Sequence, residues 1–470
     1  MSKDEQIAEL QRENAYLRQE LATLKKLIFG TKSERYRSQE GDQQLHLFVD
    51  EQPEEEKEVS EKETISYDRK KGNHTGRNKL PDHLPVEEIV IEPEEDTSGL
   101  KKIGEEVTET LKYTKASLVK LKTIRPKYEK PNQEGVLIAP LPSRAMHKCI
   151  AEPSLISHIL VSKFVDHLPF YRQIKMFARD FDWELSSSTI NDWFVACCTL
   201  LKPIYDQMVE GVKTSNYLQV DESPIKVLES EKEKQTHQGY QWVYHSPLEK
   251  VIVFHYRKGR GMQGPKEFLS DYQGYLQCDG YKVYDRIGKV ASITLVGCIA
   301  HARRYFHQAL ENDSSRSKYA LEKFKAIYHI ERKWKAPEKT ITQQERKSLI
   351  NTHLQELKTW CEQQVHSVLP KSAIGKAIGY YLKQYPKLKV VADQEFIEID
   401  NNLIENKIRP LALGRKNYLF AGSHKSAQRI AMMYSFFATC KAKGKDPGLW
   451  LENTLELLAD PEYPIQLLIP

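Results

Sequence analysis

YLQVDESP, residues 217–224, is the stretch on which the fold turns. Its first four residues form a β-branched and aromatic run that predicts a strand. The run ends on an acid, Asp221, followed by Glu222, Ser223 and Pro224. Downstream, YQWVY (240–244) and VIVFHY (251–256) predict two more strands separated by turns. GPKEFLSDY (264–272) then predicts a short helix, and YLQC (275–278) and ITLVGC (293–298) a fourth and fifth strand.

Three strands, a helix, a strand and a further strand is the order of a ribonuclease-H-like core. The expectation is a mixed five-stranded sheet in a domain spanning 213–430. From His301 to about Lys387 the chain reads helical and charged without a strand, so a helical insertion is expected at about 307–390. Asp279 follows the fourth strand as Asp221 follows the first. If those strands are neighbours, their ends lie about 4.8 Å apart, close enough for two carboxylates to share a divalent ion. A third acid comes from DNNLIENKIRP (400–410), where Asp400 is placed to cap a helix, Glu405 sits a turn and a half inside it, and Arg409 shares its face. Three hard oxygen ligands without a His or Cys cluster suit two Mg²⁺ or Mn²⁺ ions rather than zinc. Such a site runs phosphoryl transfer, stabilising an in-line displacement without a covalent protein nucleophile. Taken singly, an acid after a strand is usually a turn residue, and it is the set of three in this strand order that points to a metal site.

Working outward, Ile7, Leu10, Asn14, Leu17, Leu21, Leu24 and Ile28 step by alternating three and four, the seam of a left-handed coiled coil with Asn14 in an a position. Residues 1–30 therefore read as an oligomerisation zipper, although a single amphipathic helix packing on its own body shows the same stripe. A linker follows at 31–82, acidic and then basic at Arg69, Lys70, Lys71, Arg77 and Lys79, either a solvated tail or an arm tracking phosphates. Short β runs at Glu87 to Ile91 and Leu118 to Ile124 predict a small β module over 83–145. Residues 146–212 read as helices. One runs through HILVSKFVDHLPFYRQIKMFARDF (158–181), and a second is capped by the serines at 186–188. That pair reads either as a helix-turn-helix with Arg172, Lys175 and Arg179 near phosphates or as ordinary helical packing. A helical segment, 431–470, ends the chain, and the whole is a multidomain α/β protein.

The bulk numbers are permissive. At 470 residues the chain is long enough for several domains, and a net charge of +5 is compatible with nucleic acid without demonstrating it. The charged opening MSKDEQIAEL does not read as a secretory signal, and no run of about 18 apolar residues is present. Seven scattered cysteines do not form a disulfide framework. A cytoplasmic protein is expected.

Several longer motifs carry a resemblance. DESP (221–224), CDGY with Tyr284 (278–284), CIAHARRYF (298–306), DNN with Glu405 and ArgPro (400–410) and GRKNYLFAG (414–422) resemble the transposases of the insertion sequence 66 family. FGTKSER (29–35) and HLPFYRQ (167–173) do so too, and the likeness runs essentially the full length. It implies a DDE-type recombinase whose three acids fall on Asp221, Asp279 and Glu405. It also implies DNA, as element ends and target, for a substrate, with accessory proteins of the same element as further candidate partners. Glu222, Asp285, Asp393 and Asp400 are the nearby competitors. Glu222 follows Asp221 directly, so on a strand end it should point to the opposite face. Family members usually carry a cysteine-rich, zinc-ribbon-like module before the helical part. Here the matching stretches, 91–99 and 125–132, contain no cysteine, so no zinc is expected.

Cys298 and His301 form half a zinc motif whose second half is missing. Arg303 and Arg304 read as phosphate contacts or surface ion pairs. Arg415, Lys416 and Asn417 read as a basic loop beside Glu405 that holds the DNA backbone. Three functions remain open: a strand-transferring transposase, a catalytically silent copy that binds DNA and oligomerises, and a ribonuclease-H-like nuclease without strand transfer.

Overall fold

The computed structural model describes residues 84–95, 100–114, 117–130, 135–228, 236–289, 292–338 and 340–470. The chain divides into two units, Met1–Lys79 and Leu80–Pro470, and the described residues all belong to the second. The zipper expected at 1–30 and the linker expected at 31–82 lie outside the described residues.

A small sheet comes first. Strand β3 (Ser117–Glu129) lies at its centre, parallel to β1 (Val86–Val90) and antiparallel to β2 (Lys101–Thr114) and β4 (Val136–Ile138). β2 escapes the sequence reading because its outer half, KKIGEEV, leaves Ile103 and Val107 exposed and so lacks a buried face. Only near Leu111, Leu118 and Val119 does the sheet enter the core. Where the family resemblance would place a metal-binding stretch, Arg125 is buried, pairing with Glu106 at 2.8 Å and donating to the Ala139 carbonyl at 2.8 Å.

Three helices follow: α1 (Pro153–Phe164), α2 (Phe170–Phe181) and α3 (Ser187–Lys213). The single helix expected across 158–181 is broken. Pro169 lacks the amide a continuing helix needs, and His167 takes a left-handed φ of 59°. Ser186 caps α3 as expected, its Oγ accepting from Thr189 N at 3.0 Å. α3 buries Ile190, Trp193, Phe194, Leu201, Ile204 and Met208 in a core continuous from Leu84 to Leu468, while its exposed first turns carry Ser187, Ser188, Asn191 and Asp192.

The main sheet contains β5 (Tyr217–Leu228), β6 (Thr236–Ser246), β7 (Val251–Arg257), β8 (Gly274–Gln277) and β9 (Ile293–Val296), in the order β7-β6-β5-β8-β9. β7, β6 and β5 are antiparallel, whereas β5, β8 and β9 run parallel. The helices α4 (Gln263–Phe268) and α5 (Lys282–Ile287) lie in the connections. α6 (Ile299–Gln308), α7 (Ser314–Lys335), α8 (Gln343–Gln364) and α9 (Ala373–Leu388) make the helical insertion around a second core that includes Phe306, Phe324, Leu354 and Tyr381. α10 (Asn402–Tyr418), α11 (His424–Ala442) and α12 (Pro447–Leu457) complete the chain. No helix among the described residues is long and apolar enough to cross a membrane, and all seven cysteines are buried as thiols.

Asp221 does not end its strand, because β5 runs on to Leu228 paired with β6. The β-branched run does stop at Asp221, but the strand does not; the register with β8 ends at Gln219 and Gln277, so Pro224 sits where β5 has lost that neighbour. A missing N–H is tolerated at such an edge.

Candidate active site

Gln219 pairs in register with Gln277, so Asp221 and Asp279 each lie two residues past the last parallel pair. Side chains alternate along a strand, so Asp221 shares a face with Gln219. The two glutamines bind each other, Gln219 Nε2 donating to Gln277 Oε1 at 2.9 Å. They also hold the segment leading into α10. Gln219 Nε2 donates to the Asp400 carbonyl at 3.2 Å and Gln277 Nε2 to the Glu398 carbonyl at 2.8 Å. Asn401, almost fully buried, donates from Nδ2 to the Val220 carbonyl at 3.1 Å and from its backbone N to Cys298 Sγ at 3.2 Å. Cys298 is thereby a structural acceptor. The start of α10, and with it Glu405, is fastened beside the last parallel pair of β5 and β8, two residues before each aspartate.

Asp221 Oδ1 accepts from Glu222 N at 2.8 Å, and Asp279 Oδ1 from Tyr281 N at 2.8 Å. Burial pushes the Asp221 carboxyl well above the usual carboxylate range, and the charges of Glu222, Asp279 and Glu405 push it further. Glu405 Oε1 is buried without a hydrogen-bond partner and lies 3.7 Å from His301 Nε2, while Oε2 lies 3.6 Å from Arg304. Among the described residues, no three His, Cys, Asp or Glu side chains converge closely enough to hold a metal ion as they stand. The orphaned Glu405 oxygen, the mutual repulsion felt at Asp221 and the all-carboxylate chemistry fit a hard divalent cation.

Glu222 turns into a different environment. Arg260 grips its Oε1 at 2.7 and 2.8 Å, and the buried Tyr284 hydroxyl donates to Oε2 at 3.1 Å. Burial and the charge of Asp279 still raise its carboxyl, with Arg260 opposing them. Asp285 is held by Lys387 and Lys383, and Asp393 by Lys347. Asp400 accepts from Tyr328 and from Asn402 N, tying down the start of α10.

The cationic residues divide. Arg304 and Glu405 come together, as do Arg172 and Asn417, whose Nη1 and Oδ1 lie 3.2 Å apart across 245 residues of sequence. Lys175 is exposed on α2, Arg179 spends its guanidinium on Asp180, Arg303 is half-buried on α6, and Arg409 is exposed one turn beyond Glu405. The basic loop expected at 415–417 is not a loop. α10 continues to Tyr418 because its residues keep helical periodicity through Pro410, with Ile404, Ile408 and Leu411 buried. Arg415 therefore lies about 15 Å along the helix from Glu405. Its Nη1 binds Ser223 Oγ at 3.0 Å and the Pro224 carbonyl at 2.7 Å, bracing β5, while Lys416 is exposed. Sequence reading did not assign a role to Arg260 or the two glutamines, and it met His301 only as half of a zinc motif. Gln219 and Gln277 each stand two residues before an acid, a signal visible only once the strands are known to pair.

Residues 148–429 match the profile of the Transposase IS66 family, and residues 16–89 match one described as Transposase C of IS166 homeodomain. The uncharacterized protein y4qI of Sinorhizobium fredii (strain NBRC 101917 / NGR234) is 31% identical over 96% of this chain and 87% of its own length. The uncharacterized protein y4jD of the same strain is 30% identical over 80% of this chain and 77% of its own length. With a profile covering more than half of its length, the chain belongs to the IS66 family of transposases.

Proposed function

We propose that this chain cuts DNA at the ends of its insertion sequence and joins the freed 3′-hydroxyls to target DNA, using a ribonuclease-H-like domain of the DDE type. The observation that carries this reading is the fastening of the three chain segments that carry Asp221, Asp279 and Glu405 through Gln219, Gln277 and Asn401. Asp221, Asp279 and Glu405 would hold two Mg²⁺ or Mn²⁺ ions, which when bound supply Lewis acidity to the attacking and leaving oxygens. Arg304 flanks Glu405 and contacts the scissile phosphate, while Arg409 on the same helix and Lys175 and Lys416 elsewhere meet the flanking backbone. The homeodomain match at 16–89 supports a further DNA contact from the N-terminal unit.

The test is product analysis. Full-length protein, labelled element-end duplex and a supercoiled plasmid are incubated in Mg²⁺. Joined products support the reading. Nicked end duplex without joining indicates a nuclease, and bound but intact DNA indicates a silent copy.

A further inference from the structure

Away from the acids, a groove of about 1130 Å³ opens between α3, the turn after β7 and the start of α11. Its lining carries five cations, Lys202, Arg257, Lys258, Lys425 and Arg429, against two acids, Asp206 and Glu267. Arg257 is neutralised by Glu267 at 2.7 Å and Lys202 pairs with Asp206 on the exposed face of α3. That leaves Lys258 and Lys425, both exposed, and the half-buried Arg429 as the uncompensated charge. His255 on the wall is held neutral at pH 7. Burial, reinforced by Arg257, Lys213 and Lys202, lowers it to about 4, so the groove's charge comes from the lysines and arginines.

The turn after β7 reads RKGRG, residues 257–261. Around Gly259 and Gly261 there is open space where a side chain would stand, so a strand can approach the backbone closely. Lys258 and Arg260 leave this turn in different directions. Lys258 lines the groove, whereas Arg260 lies over Tyr281 at 4.3 Å and grips Glu222 beside Asp221. Tyr281, whose amide binds Asp279, also donates its hydroxyl to the Arg260 carbonyl at 2.9 Å. One glycine-rich turn thus joins a cationic groove to the two aspartates.

We propose that this groove holds the phosphodiester backbone of a DNA segment that passes Arg260 on its way to the acids. The inference rests on the transposase reading and adds to it the surface along which the substrate lies. The occupant is DNA because an open groove whose cations outnumber its acids matches a repeating anion, and because the turn points it at a phosphoryl-transfer site.

The test replaces Lys258, Lys425 and Arg429 by Gln together in the full chain. Anisotropy of a labelled duplex of ~30 base pairs and arbitrary sequence is then followed from about 50 to 200 mM salt. Three lost phosphate contacts should make the slope of log affinity against log salt shallower by about 2.7 and weaken binding at least tenfold. An unchanged slope and affinity in a folded variant overturns the proposal, including the case in which the groove serves an acidic protein instead. If the triple variant fails to fold, Lys258→Gln alone, at an exposed position, should still lower the slope by about 0.9. Asp221→Asn, assayed in parallel, separates the two readings. A dead Asp221→Asn with an unchanged groove variant removes only the groove, whereas an active Asp221→Asn removes the catalytic assignment and leaves the salt slope to speak for the groove.

Discussion

Lys163 shows how a single residue can be out of step with its surroundings. It is buried on α1, and burial lowers its ammonium to about 8. At about 1.4 kcal/mol per tenfold change, that drop corresponds to about 3 kcal/mol of unfavourable charge burial. The Phe170 ring, 3.9 Å from Nζ, offsets about 1–2 kcal/mol of it. The unfolded state therefore binds more protons between about pH 8 and 10.5, so stability should rise with pH across that window and stay at its lower level below it. Lys163→Met should raise unfolding stability by about 1–2 kcal/mol at pH 7 and less at pH 9.5. Chemical denaturation at the two pH values checks this, and a variant destabilised at pH 7 would mean the cation is required. At this scale the acids stood out only as a set in that strand order, since a single carboxylate after a strand usually marks a turn. The glutamines did not, because a polar residue inside a strand carries no signal until its partner strand is known. Strand alternation separated Glu222 from Asp221 as an expectation, but the Arg260 that grips Glu222 lies 38 residues on, beyond any local pattern.

Elements are positioned by polar contacts that periodicity does not encode. β7 is an edge strand, and α11 seals it. The Ile252 and Phe254 amides donate to Thr439 Oγ1 and Ser435 Oγ at 3.0 and 2.8 Å, two hydroxyls one helical turn apart. The five strands and the helical insertion were readable from alternation and helical runs. The length of β5 and the continuity of α10 were misread because the β-branched run gives out at Asp221 and residues 415–417 are basic and polar like a loop, and only tertiary pairing shows otherwise. Asn401 is the joint between these elements. Asn401→Ala leaves the Val220 carbonyl buried without that donor, which should cost about 1–3 kcal/mol. If Asn401 positions Glu405, DNA cleavage should also fall at least tenfold, with DNA affinity unchanged. Parental cleavage in a merely less stable variant would show that Glu405 is held by other contacts.

At the scale of the whole molecule, the proposed reading gives catalysis to the described unit and assembly to the N-terminal unit. The three-and-four seam from Ile7 to Ile28 predicts that light scattering will report a smaller species for a chain beginning at Lys32 than for the full chain, and that Asn14→Leu will redistribute the oligomers. An unchanged mass would remove the zipper. The central claim is that Asp221, Asp279 and Glu405 act as one site. Its most direct test is the rate of element-end cleavage in Mg²⁺ for Asp221→Asn, Asp279→Asn and Glu405→Gln, measured beside their DNA affinity. Each substitution preserves volume and removes one anionic ligand, so each should abolish cleavage and joining, with a loss of at least about 10³-fold, while affinity stays within about twofold. Cleavage near the parental rate in any one of the three would contradict the account.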